Sequence, residues 1–424
     1  MLGLRGGCLL AAVAFCQHAA AQDWQSAASL NRPGQPTDDS FGWSISISGK
    51  SLLVGALNEN GTQQSSGAAY VFEGDQWANV TRLGPDVETA YGGFGASVAL
   101  DGNTAFIGTG RLERTPVYVF NKSGSTWALT QTLREDMSDT FGLDLSIHGD
   151  VAMLSAPKDS ADIGKIHVYA KTGATWAEQQ ELTASDGASG DFFALGMDFD
   201  GESVIAGEPA TNSLTPQPAA YIFVKSGSGF VQQAKLDIDK TGVSVGSAVA
   251  ISGDTAVVGT PALVGFAGSS RATIYARANG AWAVQQTLTM PSEDLFGGLV
   301  RIQGDAVYVS AETGGQSSVY VFKRTGQVWA QTQQLSAPAA MFGPSALAVY
   351  GGTLAVGSTG NKLTGAVQVF RDPAEDAAVS SSSGDKKSSG CSFAVAPSSA
   401  HSTPWALLGC ALALTLTLRK RKAR

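Results

Sequence analysis

The side chains best suited to nucleophilic or metal chemistry are scarce in this sequence. It holds four histidines, at 18, 148, 167 and 401, and four cysteines, at 8, 16, 391 and 410. No cysteine falls between residues 17 and 390, so that stretch carries neither a disulfide framework nor a thiolate metal site. His18 and His401 lie in terminal segments, His148 stands beside a glycine turn, and His167 occupies a strand-like stretch where it aligns with Tyr70 and Tyr118. One turn histidine and one strand histidine argue against a Cys-His or Ser-His-Asp site, and His167 reads as a packing residue. Carboxylates are the chemistry that remains. Asp38, Asp39, Asp139, Asp191 and Asp294 stand in acidic stretches between apolar segments, with Asp86 and Asp186 in equivalent places. Such a set could contact a basic or cation-bridged partner. It could instead be a solvated surface that aids solubility, or hide a glycosidase acid pair, which no spacing singles out.

The elements that would position these acids repeat. Phe-Gly occurs at Phe41, Phe94, Phe141, Phe296 and Phe342, with Phe-Ala at Phe193 and Val-Gly at Val245, a period of about 50 residues. Periods of that size signal propellers or stacked arrays. After Phe-Gly comes apolar alternation, as at Ile45 and Ile47 or Val98 and Leu100, the mark of a strand with two unlike faces. In the seventh copy the pair slips by one, to Leu347 and Val349 after Pro344, which predicts a β-bulge. Turns such as "DGNT" and "SGDT" follow, where Gly with Asp or Asn supplies the positive φ of tight hairpins. The second strand is apolar throughout ("AFIGT", "AVVGTP") and so buried on both faces. The third is aromatic and β-branched ("AAYVF", "PVYVF"). The fourth runs from an aromatic residue to a leucine six positions later, from Trp24–Leu30 to Trp329–Leu335.

Four strands in each of seven units predict an all-β fold: a seven-bladed β-propeller with four antiparallel strands per blade. Phe would wedge between blades, and the following Gly would let backbones crowd near the axis. Trp24–Leu30 is a fourth-type strand placed before the first Phe-Gly, and the last unit, ending at "GAVQVF", lacks one. The N-terminal strand is therefore expected to complete the last blade and hide the edges of the ring. An open solenoid is the alternative, but it needs caps at both ends, and the sequence offers none. In such a ring the blade-joining loops share one face with the loops between strands two and three, and those loops vary most in sequence.

"DTFGLDLSIHGDVAMLSAP" (139–157), "LTASDGASGDFFALGMDF" (182–199) and "SVGSAVAISGDTAVVGTP" (244–261) resemble the FG-GAP repeat of integrin α-subunit propellers and of many bacterial extracellular proteins. The resemblance spans roughly residues 22–372. It implies a seven-bladed propeller used in adhesion or ligand binding. Calcium-binding members of that family place an Asp-x-Asp-x-Asp-Gly loop between the first two strands. Here those hairpins offer single acids, Asp150, Asp254 or Asp305, too few for an ion that takes six to eight oxygens. The resemblance therefore does not carry calcium over at that position; no cofactor and no metal site is expected, with calcium the one ion left open although the usual loop motif is absent. "SGSTW" and "TGATW" resemble the Asp-box hairpins of sialidases but lack the Asp, and read as turns.

The ends set the location. Residues 1–21 combine one Arg, an apolar run and Ala19-Ala20-Ala21, the pattern of a cleaved secretory signal. Residues 22–372 form the propeller and 373–390 a Ser-rich flexible linker. Residues 391–424 bring Cys391, an apolar run at 404–418 and a basic end, "RKRKAR". This tail resembles the tripartite C-terminal sorting signal of myxobacterial surface proteins, which implies processing near Cys391 by a sorting protease and retention at the cell surface or outer membrane. A single-span tail anchor is the alternative; its apolar run is short for a full crossing. Net charge is -8, and the two ends (1–21 and 385–424) hold eight of the 28 basic residues and one of the 36 acidic ones. The body between them thus carries 20 basic against 35 acidic residues, which excludes nucleic acid as its partner. The expected function is non-enzymatic adhesion or binding of an extracellular protein or glycan. A carbohydrate-active or other hydrolase on the same scaffold, and an architectural envelope protein, are the alternatives.

Overall fold

A computed structural model describes residues 23–34, 39–110, 116–135, 140–209, 218–238, 248–262, 270–290, 295–313, 316–336, 346–359 and 365–373. The chain divides into two units, Met1–Ser380 and Ser381–Arg424, and every described residue belongs to the first. The signal segment, the Val245 and Phe342 copies of the repeat start, the linker past Pro373 and the tail with Cys391 lie outside the described residues. Among the described residues no helix is long and apolar enough to cross a membrane.

The described strands form seven four-stranded antiparallel sheets. The chain opens on β1 (Gln25–Leu30), and blade one follows as β2 (Phe41–Ser48), β3 (Ser51–Ala56), β4 (Ala68–Glu73) and β5 (Asn79–Leu83). Blades two to six repeat that order as β6–β9 (94–133), β10–β13 (145–182), β14–β17 (196–237), β18–β21 (248–289) and β22–β25 (300–336). Blade seven is β26 (Ala346–Tyr350), β27 (Thr353–Ser358) and β28 (Ala366–Arg371), and β1 supplies its fourth strand. Each first strand meets the first strands of the two flanking blades, and β26 meets β2 to close the ring. The β26–β27 ladder is continuous from Ala346 to Tyr350, so the expected bulge is absent there; residues 341–345 lie outside the described set.

The core is divided into seven wedges, one between each pair of neighbouring blades. Ile45 and Ile47 of blade one, for example, pack with Ala348 and Val369 of blade seven. Phe41, Phe94, Phe141, Phe193 and Phe296 are fully buried within these wedges. A blade is apolar on both faces because both faces are interior.

The glycine of Phe-Gly has two physical reasons to be there. Gly95 has φ +87°, in the left-handed half of the map, which side-chain-bearing residues enter at a cost. A Cβ on it would also stand 2.4 Å from Ala68 O and 3.2 Å from Gly55 Cα. Gly55 in turn would bring a Cβ to 2.0 Å from Gly95 O. Backbones of adjacent blades touch at this pair, as the sequence led us to expect.

Polar clasps join the outer parts of the blades. Gln131 accepts from Trp176 N–H at 2.8 Å and donates to Trp176 O at 2.8 Å. Gln180 does the same to Phe230, Gln286 to Trp329, and Gln333 to Trp24. The last of these ties the N-terminal strand to blade six. A register shift recurs between the third and fourth strands of blades two to six.

Candidate functional site

The blade-joining loops and the loops between second and third strands share one face. In blade one, Tyr91 of the joining loop donates its N–H to Gln64 O and its hydroxyl to Gln64 Oε1, both in the strand two–three loop. In blade three, Gly190 and Phe192 donate to Asp162 O in the same way. This loop face is where a partner would find variable, rigidly mounted side chains.

The described acids on it are largely engaged within the chain. Asp39 is buried; it pairs with Arg32 and accepts from Phe41 N–H at 3.0 Å. Burial raises its carboxyl above the usual range despite these donors. Asp191 is half-buried and caps a turn by accepting from Ala188 N–H at 2.6 Å. Asp38, Asp139 and Asp294 lie outside the described residues. The centre of the blade-one cluster is Glu59, which the sequence reading did not rank as a site. It is buried, accepts from Tyr70 Oη at 2.7 Å and Arg82 Nε at 2.8 Å, and lies 3.9 Å from Arg32. Burial, with Glu59 beside it, pushes the Tyr70 hydroxyl up to about 12. In blade four, Tyr221 Oη donates to Asp186 at 2.9 Å, and Lys235 pairs with Asp186 at 2.6 Å. Glu208, below them, is buried, and burial with the nearby Asp191 charge pushes it up to about 7.

Large apolar side chains also break the loop face. Trp43, two residues into β2 and so at the loop-face end of the channel, is 44% exposed. Tyr91 is 50% exposed, and Val87, four residues earlier, is exposed as well.

The axis of the ring is a cavity of about 450 Å³ lined by the first strands. Alternate residues of these strands face it, and many are small, such as Ser46, Ala99, Ser146 and Ala348. Three charged side chains stand among them: Asp144, Asp198 and Arg301. Asp144 accepts from Leu145 N–H and from Met197 N–H of the next blade, both at 2.9 Å. Asp198 accepts from Ile251 N–H of the following blade at 2.8 Å. Burial raises both carboxyls, against the pull of Arg301; Asp198 reaches about 6. His148, Asp101 and Asp200 stand at the opposite rim, where Asp101 and Asp200 accept from Gly149 and Gly253 N–H. These acids therefore tie one blade to the next. Asp144 and Asp198, the two raised carboxyls among the described channel residues, each hold a backbone N–H.

Residues 24–72 and 176–223 match the family model of the FG-GAP repeat. Each match runs from a fourth strand through the third strand of the next blade, across the Phe-Gly or Phe-Ala start. The chain is a seven-bladed β-propeller carrying FG-GAP repeats. No curated protein matches the sequence. Among solved structures, the hydrazine synthase of Kuenenia stuttgartiensis is similar at 14% identity and TM-score 0.55, over 81% of this chain and 98% of that one. The WD40 β-propeller domain of Doa1 is similar at 13% identity and TM-score 0.51, over 82% and 97%. A putative 6-phosphogluconolactonase from Bacteroides uniformis reaches 12% identity and TM-score 0.50, over 72% and 88%. At such identities the likeness is one of fold, and fold does not carry function.

Proposed function

We propose that this FG-GAP propeller is a non-enzymatic binding protein, secreted and held at the cell envelope by its C-terminal segment, that captures an extracellular protein or glycan on its loop face. The observation that carries the reading is the exposure of Trp43 and Tyr91 on that face. Exposed tryptophan and tyrosine are costly to leave in water and supply much of the energy of recognition sites. The acids of the face support binding differently: with Glu59, Asp39 and Asp186 matched by Arg32, Arg82 and Lys235, they hold loops in place. The partner is then gripped by aromatic surface, with the remaining negative charge as rim. Channel carboxylates committed to backbone N–H groups favour binding over hydrolysis.

The test is adhesion by cells displaying the full chain and the Trp43→Ala/Tyr91→Ala variant. Hot-spot aromatics cost roughly 2 kcal/mol or more each on truncation, so retention of partner cells or glycan-coated beads should fall at least tenfold. Equal retention by the double variant refutes the loop-face reading. Intact mass and fractionation of the native protein check the location: loss of residues up to 21, with the protein at the surface, is the expected result. A retained signal, or a protein confined to the cytoplasm, refutes it.

A further inference from the structure

Blade three departs from its neighbours at one buried position. The third strands of blades one, two, four and six each set a tyrosine against the Phe of their repeat start: Tyr70, Tyr118, Tyr221 and Tyr320. Blade three has His167 there, fully buried and edge-on to Phe141 at 5.2 Å. Its Nδ1–H donates to Glu178 Oε1 at 2.8 Å. Glu178 stands on the fourth strand of the blade, and Glu135 lies just past the fourth strand of blade two, where the chain crosses to blade three. One ligand atom from each of Glu135, His167 and Glu178 lies within 4.8 Å of the other two.

The other side of the ring is unfinished. Nε2 is buried and makes no hydrogen bond. The carboxylate oxygen facing it, Asp159 Oδ2, is 3.8 Å away, beyond hydrogen-bond reach. With the proton on Nδ1, a bare nitrogen lone pair is buried facing a carboxylate. Moving the proton to Nε2 instead sets a lone pair at Nδ1 against Glu178. Both neutral forms leave a buried polar atom poorly matched, which costs roughly 1–3 kcal/mol. A tyrosine, as in blades one, two, four and six, would carry no such burden.

We propose that Glu135, His167 and Glu178 bind a divalent transition-metal ion of the zinc class, with Asp159 as the outer partner of the imidazole. An ion on Nδ1 takes the place of the proton now shared with Glu178. The imidazole proton then sits on Nε2 on the side of Asp159, whose carboxylate must close the 3.8 Å gap to orient the ring as outer partners of metal-bound histidines do. Two carboxylates and one imidazole match the charge of a divalent ion and suit zinc better than calcium, which wants six to eight oxygens. Ligands at bond lengths of about 2.0–2.2 Å stand closer together than these atoms do now, so a small inward movement of the Glu135 segment completes the set. The side chain of Glu178 is 33% exposed, which gives the ion a way in. Bound there, it pins the crossing from blade two to the outer strands of blade three.

The experiment uses the full chain, stripped with a chelator and titrated with zinc chloride by calorimetry, alongside His167→Tyr and Glu178→Gln. The tyrosine is the side chain four other blades carry, and a metal-free melt and circular dichroism check that each variant folds. Wild type should show a site that both variants weaken by roughly 10–100-fold or more, at least the effect of losing an outer-shell partner. Cobalt(II) loaded in place of zinc should give a visible d–d spectrum that His167→Tyr abolishes. Zinc uptake by wild type no greater than by folded His167→Tyr overturns the proposal, as does uptake unchanged in Glu178→Gln. Displacement of bound zinc by equimolar calcium overturns the choice of ion class.

Discussion

Glycine at the inter-blade contact can be tested so that its two roles separate. Gly102 has φ +53° in the β6–β7 hairpin, and an added Cβ there meets no atom within 4 Å. Gly102→Ala therefore carries only the backbone penalty, about 1–2 kcal/mol, partly offset by a stiffer unfolded chain at about 0.4–1 kcal/mol. Gly55 has no left-handed φ, but its Cβ would stand 2.0 Å from Gly95 O and 2.3 Å from Ser44 Oγ. The serine can rotate away; the carbonyl cannot move without the blade. Gly55→Ala then costs about 1–3 kcal/mol of overpacking. Gly95 carries both burdens, with φ +87° and Ala68 O at 2.4 Å from the new Cβ, so Gly95→Ala should cost about 2–5 kcal/mol.

Urea unfolding followed by tryptophan fluorescence reads these differences as shifts in midpoint at constant slope. The buried Trp24, Trp127, Trp176 and Trp329 supply the signal. The expected order of loss is Gly95→Ala, then Gly55→Ala, then Gly102→Ala, and the Gly55/Gly95 double variant should be less than additive because both relieve one contact. Equal losses for Gly95→Ala and Gly102→Ala would show that the motif needs glycine for φ alone, and would refute the close-approach argument.

Two further outcomes follow from the interior polar groups. Asp198 sits at about 6 in the folded chain against an ordinary 3.8, so the folded state holds the proton more tightly and stability falls as pH rises from about 4 to about 6. Asp198→Asn keeps the acceptor for Ile251 N–H and should gain about 1–2 kcal/mol over wild type at pH 8, a gain absent at pH 3.5; melts that differ equally at both pH values would refute the desolvation account. Gln333→Ala strips Trp24 N–H and O of their partners at about 1–3 kcal/mol, so amide exchange across residues 24–30 should speed up by roughly tenfold or more, while β18–β21 stay protected.

Much of this architecture was legible because the repeat is enforced by burial. A strand buried on both faces must be apolar, and a wedge phenylalanine must recur with the blade. The unpaired Trp24–Leu30 strand announced the closure for the same reason: it had no blade of its own. The clasps were not legible. Gln131, Gln180, Gln286 and Gln333 sit four residues after Trp127, Trp176, Trp282 and Trp329, yet glutamine on an outer strand reads as solvated surface until the next blade's backbone is in place. Ser40, Phe192 and Leu295, each just before a Phe, have φ between 51° and 54°, a cost that propensity alone would have placed on glycine; the packed turn dictates it. The pairing of the candidate acids was not legible either. Asp39 counted as a ligand residue from its position in a loop, but Arg32, seven residues earlier, claims it. The odd positions of the first strands held the stronger signal: against serines and alanines, Asp144, Asp198 and Arg301 stand out once the strand's channel face is known.

The placement of polar groups also bears on how the blades are held at a fixed angle. Seven wedges can slide on one another if only apolar contact joins them, because hydrophobic attraction is non-directional. Here directional bonds cross the joints at two radii. Asp144 and Asp198 reach the next blade's N–H groups at the axis, and the glutamine clasps do so further out. Raising Asp198 to about 6 is the cost of the inner set, and a fixed angle between blades is what it secures. A fixed ring fixes the spacing of the loops above it, so under the proposed loop-face reading Trp43 and Tyr91 would be held in position before a partner arrives, with little ordering entropy left to lose.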